Sequence, residues 1–459
     1  MKNQLRFLFA AALAVAIIGC SKDNGGSGTD QQTDGKSAVS LTIYEGKAAV
    51  RSSEGDTEPT EGNEGEIFVE DDIKVAVFNS DGSLDYAGSL TLTETGPSTG
   101  IFKSETFEVS AGTGKYFYVF VNDAGNLVTL PGSTVSRESF LTQAIATALN
   151  ASDEITNVAV NAKFLMGTLW SEAQDVAGGG TTATPVTVAL SVGRLSAKVN
   201  LASVATTSDN ASLSGTFGDP QYRMGAIPKI MNTVGVYTGT VLPTEATGVL
   251  VESAVHNAPA YTGPSDVNFQ EYTTTWKVPA EIFYTVENTT ARDASTGHQY
   301  FGNTSYIQVE TVYTPNDSEI YNPLTLAQEG SLTGGTFWTA RIKTNPTTGN
   351  EAIAGQRFIF YSTPEGAAGH PDIDQSSIVQ YTQGKNYHKF VLFEGNETDD
   401  VKKNRVLRNH YYEYTLTNFK DLGSNTSTVD PSEPVPSRST VDITVEVKDW
   451  DKIVENVEV

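Results

Sequence analysis

The sequence predicts a mainly β protein with one short inserted helix, and three observations carry that prediction. Apolar and polar residues alternate with period two in many segments, and β-branched and aromatic side chains fill them. Gly, Asn, Asp and Ser gather between those segments as turn chemistry. One segment alone breaks the rhythm. At 459 residues the chain exceeds the usual size of a single domain, so two domains are expected.

The chain opens on a signal segment. Lys2 and Arg6 give a basic start, and Phe7 to Ile18 form an apolar run too short to span a bilayer as a helix. Ile17-Ile18-Gly19-Cys20 reads as a lipobox, where a peptidase cuts before a cysteine that receives lipid. Cys20 is the only cysteine, so the chain has no internal disulfide to lean on. Ser21 to Gly28 make a flexible polar tether. No later stretch reaches the ~18 unbroken apolar residues of a membrane span, so the rest is expected to be soluble and extracytoplasmic. The formal charge of -25 argues against nucleic acid or anionic lipid as a partner of that body.

Taken in order, the first strand lies in Ser37 to Tyr44, where Val39, Leu41 and Ile43 alternate with polar residues. Arg51 is the last basic residue before Lys74, and Ser52 to Asp72 holds nine carboxylates without a Lys or Arg. So acidic a stretch is expected to stay exposed, and an arginine at its edge is easily cut by an Arg-specific protease. Asp72 to Phe78 and Lys115 to Val121 read as strands, the first followed by an Asn79-Ser80-Asp81-Gly82 turn. Ser139 to Asn150 carries apolar residues at 140, 141, 144, 145, 148 and 149, the spacing of an amphipathic helix. Ala177 to Thr182 is a loop near the expected domain boundary. Val186 to Val199, Trp276 to Val286, Tyr306 to Tyr313, Phe337 to Ile342, Arg357 to Tyr361 and Tyr411 to Leu416 are further strands. Ser424 to Ser439, with Pro431, Pro434 and Pro436, reads as a spacer that isolates the last twenty residues.

Those last residues form a near-ideal alternating strand. Val441, Ile443, Val445 and Val447 share one face, with Asp442, Thr444 and Glu446 on the other, and Trp450 adds apolar content. Such a strand either adds itself to the sheet of another molecule or folds back as the last strand of its own domain. Pattern alone leaves both open. Removing residues up to 51 would strip a strand from the body and leave an apolar groove with unpaired edges. A neighbour's strand could refill it, and that head-to-tail contact propagates into a filament.

Seven pieces in chain order resemble the fimbrillins of Bacteroidetes, the major fimbrial subunit (FimA-type) proteins of type V pili. They are the lipobox with a strand and Arg51 beyond it, the Ile73-to-Asn79 strand, and the Gly114-to-Asn122 strand. Phe164-Leu165-Met166-Gly167, the Val192-to-Val199 segment, Arg408-Asn409-His410-Tyr411-Tyr412 and the ending Val445-to-Trp450 complete the set. The start Ser21-Lys22-Asp23 is also similar to the surface-export signal of lipoproteins in that phylum.

The resemblance implies two transthyretin-like β-sandwich domains, with the short helix in the N-terminal one. It divides the chain into a signal peptide (1–20), a tether and removable strand (21–51), an N-terminal domain (52–190) and a C-terminal domain (191–459). Cys20 would be the lipid site, the bond between Arg51 and Ser52 the processing site, and residues 441–459 the donor segment. Many relatives carry a small apolar residue where Ser52 stands. The implied partners are other fimbrial subunits (a homopolymer with tip or anchor proteins), an arginine-specific protease and, for the precursor, the outer membrane. The implied location is the outer membrane and the fimbrium.

Competing chemistry is thin. Gly96-Pro97-Ser98-Thr99-Gly100 matches the G-x-S-x-G hydrolase pattern, but that pattern needs a strand-to-helix elbow and these residues read as a hairpin turn. His256, His298, His370, His388 and His410 lack metal-ligand spacing, and Asp81-Gly82 lacks the spaced ligands of a calcium loop. Neither an enzyme nor a cofactor is expected. Trp170, Trp276 and Trp338 could stack on sugars, although packing is the commoner use of such rings. The alternative to a structural subunit is a pilus-tip adhesin or a monomeric surface lipoprotein that binds a glycan or host protein.

Overall fold

The structure, a computed structural model, describes residues 35–45, 73–95, 101–123, 126–146, 155, 159–160, 163–168, 173–234, 237–238, 249–250, 269–288, 296–332, 334–343, 358–363, 365, 367–393, 404–436 and 441–449. The fold is mainly β, with one short α-helix among the described residues.

The N-terminal part begins with β1 (Lys36–Glu45), β2 (Ile73–Phe78), β3 (Leu84–Leu90), β4 (Leu92–Glu94), β5 (Ile101–Ser104), β6 (Phe107–Ser110) and β7 (Gly112–Val121). Helix α1 (Arg137–Leu141) and β8 (Ala144–Ala146) follow, then a small hairpin of β9 (Ala159–Val160) and β10 (Lys163–Phe164). β11 (Met166–Thr168), β12 (Gln174–Val176) and β13 (Val186–Arg194) complete it. The sheet runs β3-β2-β7-β11-β13-β1-β5-β4, with β12 on β7 and β6 on β1. Both ends of that path supply side chains to one core, from Leu90 of β3 to Leu92 of β4, so the sheet is folded over itself as a sandwich.

Alternation decides which side chains enter that core. Ile73, Val75 and Val77 of β2 point into it, beside Phe117, Val119 and Val121 of β7. The opposite faces of the same strands are also buried. Ala76, Phe78, Tyr118 and Phe120 meet Phe140 of α1 and, from the second half of the chain, Met231, Val234 and Val286. Gly82 turns the chain after β2 at a φ of 83°, a conformation that suits glycine.

The second half starts with β14 (Ser196–Val204), β15 (Thr216–Pro228) and β16 (Ile230–Asn232), then a two-residue pair, β17 (Tyr237–Thr238) and β18 (Val249–Leu250). β19 (Phe269–Tyr272), β20 (Ile282–Val286) and β21 (Tyr306–Thr314) follow. Next come β22 (Phe337–Ile342), β23 (Phe358–Tyr361) and β24 (Ile373–Tyr381). β25 (Lys385–Val391), β26 (His410–Phe419) and β27 (Val441–Asp449) close the chain's described part. Two four-stranded sheets, β20-β14-β26-β27 and β19-β15-β21-β25, enclose a second core that includes Val199, Tyr222, Val309, Tyr412 and Phe390. β23-β22-β24 form a three-stranded sheet inserted between β21 and β25, with a small core of its own around Ile359, Tyr361 and Ile373.

Three sequence expectations need correction. The helix expected over 139–150 is one turn, 137–141, capped by the Ser136 side chain accepting from the Ser139 amide. Residues 144–146 instead pair with β16, so the backbone partners offered by the second half outweigh the helical spacing. Val186 to Val199 is two strands. The chain passes from one sandwich to the other at Leu195, whose amide donates to Leu165 O at 3.0 Å. Two strands with the same alternation and no Pro between them look continuous in sequence. Within Trp276 to Val286, only Ile282–Val286 is strand, since the chain turns at Ala280 with a φ of 74°.

Candidate functional site

The two terminal strands are the candidate site, and they are held in different ways. β1 is an interior strand. On one side it runs parallel to β13, with Val39 opposite Val186 and Glu45 opposite Val192. On the other it is antiparallel to β6 and then β5, with Lys36 opposite Ser110 and Ile43 opposite Phe102. Val39, Leu41 and Ile43 are fully buried. Each contributes about 1.5–3 kcal/mol by that burial.

Polar atoms fix the register of β1. The buried Ser40 hydroxyl donates to Ser104 O at 3.1 Å, and the Leu41 amide donates to Ser104 Oγ at 2.9 Å. Ser37 Oγ donates to Ala177 O at 2.8 Å and accepts from the Gly180 amide at 3.1 Å. The Ala38 amide donates to Gly180 O at 3.1 Å. A Cβ at Gly180 would lie 2.6 Å from Ala38 O, so only glycine lets the chain pass this close. The 177–182 loop, expected near a boundary, therefore lies between two strands of the first sheet and clamps the start of β1. Nothing in its composition announces that contact.

Among the described residues β27 is an edge strand, antiparallel to β26 alone. Phe419 faces Val441, Tyr414 faces Val445 and Tyr412 faces Val447. Val441 is buried in the second core, and Ile443 and Val445 are half-buried against it. Asp442 pairs with Lys420 and accepts from Asn418 Nδ2 at 3.1 Å, and the Lys420 bond, then the Asn418 bond, hold its carboxyl below the usual range. In this structure the segment is thus folded onto its own sandwich. Cys20, Arg51, Ser52 and Trp450 lie outside the described residues.

The expected spacer is a docked strap. Ser427 O accepts from Arg223 Nη2 at 2.6 Å and Gln308 Nε2 at 3.1 Å. The Phe301 and Gly302 amides donate to Glu433 O and Pro431 O, and the Val435 amide donates to Gln299 O. Val429 is buried among Ala226, Phe269, Phe301 and Tyr306. A Pro-rich, apolar-poor stretch looks free in sequence, but its backbone groups find partners on Arg223 of β15, Gln308 of β21 and the 299–302 segment that precedes β21.

The remaining sequence candidates are scattered. Ser98 and its neighbours lie outside the described residues, and the flanking β4 and β5 pair antiparallel, with Glu94 opposite Phe102. His256 and Trp170 also lie outside. His298 and His370 sit in loops, the first exposed and the second half-buried. His388 is buried beside Phe217 and Phe419, and burial lowers its pKa to about 3. His410 Nδ1 lies 2.7 Å from Arg408 O. Asp81 Oδ1 accepts from the Ser83 hydroxyl and amide, a local turn contact that lowers its pKa. Trp338 packs against the small inserted core, and the Arg223 guanidinium stacks over Tyr272 and Trp276 at 3.8 and 4.6 Å.

Sequence reasoning missed two buried ionic clusters. Arg408 and Glu287, both 1% exposed, bond at 2.6 Å, and Arg408 also donates to Asn232 O and Thr233 O. Lys115, 2% exposed, bonds Asp85 Oδ2 at 2.7 Å and Asn79 Oδ1 at 2.5 Å. A buried charge inside a strand pattern was the only available signal for Lys115.

Comparison with known proteins gives one family match. Residues 379–456, which hold the end of β24 and all of β25 to β27, match the family described as major fimbrial subunit protein type IV, fimbrillin, C-terminal. No curated protein sequence matches the chain significantly. Among solved structures, the fimbrilin FimA of Porphyromonas gingivalis aligns over 90% of this chain and 97% of its own, at 16% identity and a TM-score of 0.46. The tip fimbrial protein Mfa3 of the same species, with a C-terminal truncation, aligns over 90% and 100% at 13% identity and a TM-score of 0.38. Its fimbrial anchor protein Mfa2 aligns over 91% and 100% at 8% identity and a TM-score of 0.30.

Proposed function

We propose that this chain, which belongs to the fimbrillin family, is a structural subunit of a cell-surface pilus and not an enzyme. The match of residues 379–456 to the fimbrillin C-terminal region carries the reading. Its partners on this reading are other fimbrial subunits, including tip and anchor proteins.

The finer mechanism is part of the same proposal. The precursor is exported as a lipoprotein, lipidated at Cys20, and held at the outer membrane. An arginine-specific protease cuts between Arg51 and Ser52, which frees β1 from the body. Loss of β1 opens a groove between β13 on one side and β5 with β6 on the other, lined by the core that Val39, Leu41 and Ile43 had filled. The 441–459 segment of a neighbour enters it, with Val441, Ile443, Val445, Val447 and Trp450 as the alternating apolar set. Main-chain bonds then supply affinity and the pockets set register. The interior place of β1 and the edge place of β27 support this exchange, because an edge strand gives up one ladder where an interior vacancy offers two.

Limited digestion of residues 21–459 with an Arg-specific protease, followed by an unheated SDS gel and N-terminal sequencing, tests it. A new terminus at Ser52 together with an SDS-resistant ladder is the expected result. Clean cutting there with monomer alone would replace the stalk role by a tip adhesin or stand-alone binding protein. No cut at Arg51 would overturn the maturation step.

A further inference from the structure

We propose that Lys115 and Asn79 join their side chains in an intramolecular amide, with Asp85 as the proton acceptor. Four elements of one sheet meet at this point. Asn79 directly follows β2, Lys115 lies in β7, Asp85 in β3 and Ser110 in β6. Phe78 pairs with Tyr116, so Asn79 and Lys115 continue the same antiparallel register as the next opposed pair. The bond is independent of the pilus reading, although a covalent tie between adjacent strands suits a load-bearing subunit.

The geometry assigns each group a part. Lys115 Nζ lies 2.5 Å from Asn79 Oδ1, 2.7 Å from Asp85 Oδ2 and 2.8 Å from Ser110 Oγ. The Asn79 carbonyl carbon is one C=O bond beyond Oδ1, so it lies no more than about 3.7 Å from Nζ. A small rotation of the amide brings it to the attack distance of about 3–3.5 Å. Asp85 is held for its task, since Oδ2 accepts from the Ser110 amide and hydroxyl, each at 3.0 Å. Ser110 Oγ is also 3.4 Å from Asn79 Oδ1, where negative charge would develop. Lys115 itself is 2% exposed, so water scarcely competes for the amine.

The step balances without any added reagent. The Lys115 ammonium passes one proton to the Asp85 carboxylate, and the neutral amine adds to the Asn79 carbonyl carbon. The tetrahedral centre collapses and the carbon–nitrogen bond to Nδ2 breaks; the departing nitrogen takes the proton held by the Asp85 carboxyl and, through the same carboxylate, the second proton shed by the attacking nitrogen. Ammonium leaves, Asp85 is again a carboxylate, and a neutral amide between Lys115 and Asn79 remains. Asn79 Nδ2 donates to Ser83 Oγ on the exposed side of the turn, so the leaving group has a path to solvent.

Mass spectrometry of the purified, folded full chain tests this. The expected intact mass is one ammonia below that of the sequence. A tryptic digest should contain residues 75–103 joined to residues 104–137, uncut at Lys115. Lys115→Arg and Asp85→Ala should each return the full mass and separate peptides. A parent chain of full mass, or one that has lost ammonia without yielding the branched peptide, overturns the proposal and leaves Lys115 as a buried ion pair. The parent chain alone decides between these outcomes, so the test stands even where a variant fails to fold.

Discussion

Arg408 and Glu287 show what a single residue contributes at the seam between the two sandwiches. Burial pushes the Glu287 carboxyl up, and the Arg408 guanidinium opposes that shift. Removing one partner strands the other charge, so Arg408→Met should cost about 3–5 kcal/mol, whereas Arg408→Met with Glu287→Leu should recover much of that loss. Urea midpoints of the parent, both single variants and the pair decide it, and additive losses would refute the coupling. His388 gives a pH signature instead. Burial lowers its pKa from 6.5 to about 3, so the imidazole is neutral in the fold. Below pH 6.5 the unfolded chain takes up a proton that the folded chain refuses, and stability falls as pH drops towards about 3. By about pH 5 the loss is about 2 kcal/mol. His388→Leu should therefore show a shallower fall in urea midpoint between about pH 7.5 and about pH 5 than the parent; equal slopes would exclude this histidine as a source. At this scale the sequence was mute, because five scattered histidines and a lone Arg-Asn motif carry no sign of which are buried.

Among elements, β1 shows how much a local pattern can say and where it stops. Alternation over Val39, Leu41 and Ile43 located the strand and the face that enters the core. It could not say that the strand is interior, because that depends on β13, β5 and β6, which come later in the chain. The same limit explains the short helix, since residues 144–146 take their form from β16, over eighty residues away. It explains the strap too, whose polar stretch finds its partners on β15, β21 and the 299–302 segment. Gly180 permits a direct test of how β1 is held. Gly180→Ala places a carbon 2.6 Å from both Ala38 O and Ser37 Oγ, so the clamp must move. The variant should lose about 1–3 kcal/mol. Amide exchange should quicken at Ala38, whose partner is Gly180 O, more than at Val119, whose partner is Thr168 Oγ1. Equal acceleration at both would mean general destabilisation and no specific hold on β1.

For the whole molecule the question is whether β27 is a fixed part of the second sandwich or a strand on loan to it. Its interactions divide along the strand. Val441 is 2% exposed and belongs to the core, while Ile443 and Val445 are half-buried and Thr444 is exposed. The sheet it joins already has β26 between β14 and β27, and the core beneath draws on both four-stranded sheets. Deleting residues 441–459 therefore removes one edge and, among the described side chains of β27, one that is fully buried, about 1.5–3 kcal/mol for that side chain, and should leave the other strands in place. The truncated chain should remain a folded monomer with a lower urea midpoint. It should still be cut at Arg51, because the described part of the deletion, β27, pairs with β26 of the second sandwich. On the exchange mechanism it should form no ladder on an unheated SDS gel, yet it should still accept the donor of an intact, cleaved subunit and so cap a growing fibre. That last property separates two explanations of a missing ladder. A truncation that fails to polymerise and also fails to cap would be damaged at its groove, which β27, the described part of the deletion, does not reach. One that polymerises normally would remove the donor role from β27 and return it to the sandwich on which it lies.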